Sequence, residues 1–586
     1  MKTFKSLAVL PISLLAAGSV LAQPPDNVTS DSSGNTAMGT DALLDQSSGA
    51  TNNTAAGFGA LTKLTNTSNN TAFGYQALTA SIGAYDTAVG AGALQSNTSA
   101  SSNTAVGYFA LQSNTGGYLN VAVGTNALQS NTSGISNTAF GAVALQLNTQ
   151  GNYNTATGYD TLADNTSGLD NTATGADALQ SNTTGDYNTA TGYTALAGNT
   201  TGYSNTGTGQ AALFSNSSGF SNTASGVNAL YSNTTGNYNT GSGQDALFAN
   251  TTGVSNTASG FKALNSNTTG GYNTATGSRA LFTSTTGGSN TASGYEALYS
   301  NTTGSGNTAE GQVALYNNTT GGENTASGIQ AAFHNTTGAS GSAFGFNSLY
   351  FNTTGNYNTA AGTAALENNT TGSNNIAVGY FSGYALTTGS YNIDIGHRGV
   401  AAETNTIRIG TQGTQSATFI AGIYNHSLSG EAVVVTSTGE LGVASGSSQR
   451  FKTAIAPMGS NSAKLAQLRP VTFHFKSDPQ GVRQYGLIAE EVAKVYPELV
   501  IRDGNGRIDG VRYDELAPML LQEVQQQQQQ IATQDARNAA QAVQMEGLRQ
   551  LLAAHTEQLR ALQQQLSVLQ AASPESTRKD ELVARR

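Results

Sequence analysis

Apolar and polar positions over the first two thirds of this chain recur every 17 residues. The unit reads Asn-Thr-Ala-x-Gly-x-x-Ala-Leu-x-x-Asn-Thr-Thr-Gly and closes with two variable residues. Its leading position falls at Asn35, Asn53, Asn70, Asp86 and Asn103, then at steps of 17 to Asn392, with Gly341 standing in once, which makes 22 units. Each unit holds an alternating triplet such as Thr155-Ala156-Thr157, which reads as a short strand with Ala156 inward and its neighbours outward. Gly158 marks a crowded corner that needs φ > 0 or a close backbone approach. Leu162 and its equivalents Leu179, Leu196, Leu213 and Leu230 supply one large apolar group per unit. The Asn-Thr-Thr-Gly run is turn chemistry.

Seventeen residues are too few for a helix-turn-helix repeat, and Gly, Asn and Thr disfavour helix. The pattern therefore predicts one coil of a β-solenoid per unit, with each coil meeting only its neighbours. Asn and Thr columns would hydrogen-bond from coil to coil. At ~4.8 Å per coil the stack would measure roughly 100 Å. One Leu and one or two Ala per coil make a thin core, so a lone rod would be marginal. Tyr108, Tyr159, Tyr193, Phe261 and Tyr295 follow the corner glycine and would be half exposed on one chain. This predicts that rods associate, with these aromatics partly buried between chains.

After Asn392 the period shifts. Asn392-Ile393-Asp394-Ile395-Gly396 and Asn405-Thr406-Ile407-Arg408-Ile409-Gly410 alternate as strands. Val433-Val434-Val435 and Leu441-Gly442-Val443 flank a Thr436-Ser437-Thr438-Gly439 turn and predict a hairpin. Residues 399–446 thus read as a β adapter that closes the solenoid end. From Ser447 the composition becomes ordinary and charged. Pro470 to Lys476 reads as a strand, Tyr485 to Val492 as the start of a helix ending before Tyr496, and Arg502 to Gly510 as a turn between strands. A heptad follows, with Val524, Ile531, Asn538, Met545, Leu552, Leu559 and Leu566 at a, and Leu520, Gln527, Gln534, Gln541, Leu548, His555, Leu562 and Leu569 at d. The predicted fold class is mainly β: a long β-solenoid of 17-residue coils over 35–398, a small α+β module over 447–525, and a coiled coil over 517–571. A charged tail occupies 572–586.

Composition narrows the function. The chain has 586 residues, of which 24 are Lys or Arg and 34 Asp or Glu, for a net charge of −10. No domain is basic, so nucleic acid is not the expected partner. Cys is 0, which excludes disulfides, thiolate metal sites and Cys nucleophiles. No cofactor or metal site is expected, and the scattered acids Asp160, Asp177, Asp245, Glu296 and Glu310 lack the regular columns of a calcium-binding roll. Lys2 and Lys5, the apolar run Leu7 to Ala17, and Val20-Leu21-Ala22 read as a signal peptide over 1–22. A linker over 23–34 follows. No later run approaches ~20 apolar residues, so no membrane span is expected. The predicted location is secreted or cell-surface, on a bacterial export route.

Two resemblances add to this reading. The repeat resembles the head repeats of trimeric bacterial adhesins, which implies trimeric parallel β-rolls. No β-barrel anchor of the kind that ends those adhesins is expected from these residues. Residues 447–525 carry a Ser-x-x-Arg-x-Lys opening, the Leu-Arg-Pro-Val-x-Phe strand, Gly-x-Ile-Ala-x-Glu-Val, Pro-Glu-Leu-Val and a closing Tyr-x-x-Leu. They resemble the self-cleaving intramolecular chaperone domain of phage tail fibres, tailspikes and endosialidases. That resemblance implies Ser447 as nucleophile, Lys452 as its base, a cut at Gly446-Ser447, and a homotrimer. Arg450 is expected to hold the local geometry through an ion pair. Where the family carries Asp after the Ser, this chain has Ser448, which bears on cleavage efficiency. His474 reads as strand packing.

The function expected is therefore an exported, adhesin-like trimeric fibre, attached to surface glycans or host surfaces. Its C-terminal domain would assemble the trimer and release itself as a single-turnover serine endopeptidase. Two alternatives use the rod itself. A polysaccharide depolymerase needs paired carboxylates, and the repeat has no recurrent pair. Ice binding would use the columns through Thr155, Thr172 and Thr189.

Overall fold

The computed structural model describes residues 29–46, 49–421, 433–436, 438–443, 447–459, 462–503 and 505–571. The expected signal peptide over 1–22, Gly446 and the charged tail lie outside the described residues. The chain divides into two compact units, 1–419 and 420–586.

In the first unit each coil contributes a three-residue strand, from Thr36–Met38 to Ile407–Ile409, all parallel and in register. Thr155, Ala156 and Thr157 pair with Thr172, Ala173 and Thr174 of the next coil. A one-residue slip would turn the threonines into the core, so the alternation fixes the register. The core is two alanines and a leucine per coil: Ala173, Ala178 and Leu179 are all 0% exposed. That leucine is left-handed in nearly every coil, as at Leu179, with φ 51°. The conformation costs an L-residue about 1–2 kcal/mol. Burying the side chain returns about 1.5–3 kcal/mol, so burial wins. The corner glycine is obligatory. At Gly209 φ is +130° and a β-carbon would lie 2.5 Å from the Gly226 carbonyl oxygen.

Two buried asparagine ladders run beside the core. In the first, Asn154 Oδ1 accepts both the backbone N–H and the side-chain amide of Asn171, each at 3.1 Å. The same amide donates to the Gly185 carbonyl at 2.8 Å. In the second, the Asn182 amide donates to Asn165 Oδ1 at 2.8 Å and to Gly185 O at 3.0 Å. A threonine column adds bonds such as Thr166 Oγ1 to Thr183 O at 3.0 Å. Each buried amide left unmade would cost about 1–3 kcal/mol, so the repetition of Asn satisfies what the thin core buries.

Both ends of the sheet are modified. Within the expected linker, Thr29–Ser30 pairs antiparallel with Thr36–Ala37. The Asp31 carboxylate starts the first ladder by accepting the Asn35 N–H at 2.9 Å and its amide at 2.8 Å. At the far end Ile407–Ile409 stacks parallel on Ile393–Ile395, so the ladder runs one strand into the expected adapter. The inward residue changes there from Ala377 to Asp394 to Arg408, and Arg408 forms an ion pair with Glu403 at 2.8 Å.

In the second unit Val433–Val435 and Leu441–Val443 form the predicted antiparallel hairpin. Val471–Phe473 pairs with Gln484–Gly486, and Val500–Arg502 with Ile508–Val511. The expected helix from Tyr485 is corrected: Tyr485 and Gly486 are strand, and the helix spans Ala489–Val495. The cause is tertiary. Gly486 pairs with Val471, and the Leu487 N–H donates to the Tyr513 hydroxyl at 2.8 Å. Val492, Tyr496, Leu499, Val500, Val511, Leu516 and Met519 form the buried core. A 59-residue helix, Tyr513–Ala571, carries the heptad. Its seam residues from Leu520 onward are exposed in the single chain, Leu552 at 70%.

Candidate functional site

Ser447 and Lys452 are joined by a single 3-10 turn over Gln449–Phe451. The turn closes with Phe451 N–H to Ser448 O at 3.0 Å and Lys452 N–H to Gln449 O at 3.1 Å. It folds the chain back just enough for Lys452 Nζ to lie 3.1 Å from Ser447 Oγ. This is the reach a nucleophile and its base require. Both side chains are exposed in the single chain. A lysine amine accepts a serine proton only when water is kept from it, because desolvation disfavours the ammonium form.

Arg450 lies within this turn. Its guanidinium sits over the Phe451 ring, 4.7 Å from the centroid, and among the described residues it forms no ion pair. His474 lies just past the strand in which it is expected, and its Nδ1 is 3.0 Å from the Gly481 carbonyl, a contact within the loop that joins Val471–Phe473 to Gln484–Gly486.

Two contacts join motif segments that lie apart in the sequence. Arg469 bridges to Glu491 at 2.5 and 3.2 Å, tying the residue before Pro470 to the short helix. Those hydrogen bonds hold the Glu491 carboxyl below its ordinary value. Tyr513, the first residue of the long helix, lies so close to Gly486 that a β-carbon there would stand 2.7 Å from its hydroxyl.

Residues 447–501 match the family model described as the chaperone of endosialidase. The C-terminal unit therefore contains a chaperone-of-endosialidase domain. No curated protein matches the chain. The chaperone segment opens on Ser447, so the Ser447–Lys452 turn is its first element. The solenoid coils precede it, as the two resemblances together imply. Among the described residues no helix is long and apolar enough to cross a membrane.

The rod also offers surface features. A groove of about 520 Å³ is lined by Asn317, His334, Phe351 and the threonines Thr319, Thr336 and Thr353, among others. His334 stacks on Phe351 at 5.4 Å. No carboxylate lines this groove, so it lacks the pair that glycoside hydrolysis requires. The aromatics after the corner glycines are exposed on the single chain, Tyr159 at 61%.

Proposed function

We propose that this chain is an exported fibre protein. Three copies assemble through the chaperone domain and its helix, and the domain then cuts itself away at Gly446-Ser447. The observation that carries this is the 3.1 Å approach of Lys452 Nζ to Ser447 Oγ at the opening of the chaperone segment. With Lys452 neutral, its amine takes the Ser447 Oγ proton and the oxygen attacks the Gly446 carbonyl carbon. The Gly446–Ser447 C–N bond breaks, and Lys452 returns the proton to the departing Ser447 nitrogen. Water then hydrolyses the resulting ester, leaving a Gly446 carboxylate and a free Ser447 amine. The exposure of both side chains in one chain supports a requirement for assembly. Sister copies would supply the burial that leaves the lysine neutral, so cleavage follows trimer formation.

The heptad seam supports association, since its leucines are exposed among the described residues of the single chain. A long uniform repeat risks misregistered pairing, and a trimerising domain aligns the copies before the rods lock. Removing that domain leaves the rod kinetically trapped. The rod then serves attachment to surface glycans or host surfaces. Mass spectrometry of wild type against Ser447→Ala tests the reading: wild type yields a fragment beginning at Ser447, and the variant stays intact.

A further inference from the structure

The outer face of the solenoid sheet is not uniform. Each triplet turns its first and third residues outward, and the ladder stacks the third residues into one column. That column is apolar from Met38 through Phe73, Val89, Val106 and Val123 to Phe140. It is polar from Thr157 to Ser327, including Thr174, Ser225 and Glu310. It becomes apolar again from Phe344 through Val378 and Ile395 to Ile409. The first-position column follows suit near the C-terminal end, with Ile376, Ile393 and Ile407. Phe140 is 56% and Ile409 72% exposed on the single chain.

We infer that this face is where the three copies meet, and that its two apolar bands key their register. The inference rests on the trimeric reading above. Most valine, isoleucine and phenylalanine side chains of these bands are exposed on the single chain, and covering apolar surface is favourable, so two aligned bands of them call for a partner. The partner is a second copy of this chain. The uncovered heptad on the C-terminal helix already requires sister chains, and each sister carries the same rod. Identical rods aligned unit to unit set apolar rows on apolar rows and leave the hydroxyl rows together, where water can remain. A shift of several coils would press threonine rows against Phe and Ile rows. Each hydroxyl would then be left dry and without a hydrogen-bond partner, which disfavours the shifted register. The repeat alone offers no such mark, because every coil otherwise looks like the next. The bands would also preserve register after the chaperone domain has gone.

The chain contains no cysteine, so any introduced thiol is unique. The test is mild oxidation of the full chain carrying Val106→Cys, Ile395→Cys or, on an exposed turn, Ser218→Cys, with light scattering of each. The expected result is trimers in which Val106→Cys and Ile395→Cys link two chains and Ser218→Cys does not. Mixed copies of Val106→Cys and Ile395→Cys should not link to each other. Trimers whose Val106→Cys and Ile395→Cys thiols stay free, or in which Ser218→Cys links equally well, overturn this face while leaving the trimer standing. Monomers overturn both.

Discussion

The side-chain amide of Asn250 donates to Oδ1 of Asn233, one coil earlier, at 2.8 Å. The same bond recurs up to Asn267, which donates to Asn250 at 2.7 Å. At Ser284 the ladder stops. Among the described residues, Ser284 Oγ and Asn267 Oδ1 are both buried without a partner, and the ladder resumes only where Asn318 donates to Asn301 at 2.8 Å.

Ser284→Asn should therefore stabilise the rod by about 1–3 kcal/mol, the cost of unmade buried hydrogen bonds. Urea unfolding should show a higher midpoint for the variant. An unchanged or lower midpoint would mean that the ladder contributes little at this break.

Two glycines two residues apart should respond in opposite directions. Gly207 stands in the alanine column between Ala190 and Ala224, its φ is not in the left-handed region, and a β-carbon would meet the Ala212 carbonyl oxygen and the Leu196 side chain, each at 3.3 Å. Gly207→Ala should be neutral or gain up to about 1 kcal/mol by restraining the unfolded chain. Gly209→Ala puts a β-carbon 2.5 Å from the Gly226 carbonyl at φ +130°. It should cost about 3 kcal/mol or more. Thermal melts of the pair decide it, and equal effects would count against the corner geometry.

The solenoid was legible because its constraints are local and repeated. Ala156 alternates with threonines, Gly158 carries the corner, and Leu162 fills the core in coil after coil. What the repeat does not reveal is set by contacts across coils or between distant residues. The strand through Gly486 depends on Val471 and Tyr513, far along the chain, so a helical reading of Tyr485 to Val492 starts too early. The apolar bands escape attention when each unit is compared with its consensus. They emerge once Phe344, Val378 and Ile395 are seen stacked in one column. The Ser447–Lys452 pair is legible as a motif, yet its exposure is a property of the folded single chain.

Acid should stabilise the rod over a defined window. Asp86 replaces asparagine in the first ladder, where it accepts the Asn103 N–H and the Asn97 amide, each at 2.9 Å. Burial pushes its carboxyl up to about 6. Between that value and the ordinary 3.8 the folded rod holds a proton that the unfolded chain does not. The Asp86 contribution to stability therefore rises as pH falls from 7 towards 4, by on the order of 2–3 kcal/mol, while His334 and His397, held below the ordinary imidazole value by desolvation, act with the opposite sign. Asp394, also raised to about 6 by burial and Glu403, acts with the same sign as Asp86. Asp86→Asn should raise stability at pH 7.5 and reduce, without abolishing, the gain at pH 4.5. Identical pH profiles for variant and wild type would contradict this.

The central claim is that assembly buries a Ser/Lys pair which then severs the chaperone from the rod. Its most direct test is native mass spectrometry of freshly expressed protein over time, for wild type and for Lys452→Ala. The account predicts that wild-type trimers convert to a rod ending at Gly446 and a fragment of residues 447–586, while Lys452→Ala forms trimers that remain whole. Wild-type chains that stay intact as trimers, or cleavage that proceeds in monomers or without Lys452, would contradict it.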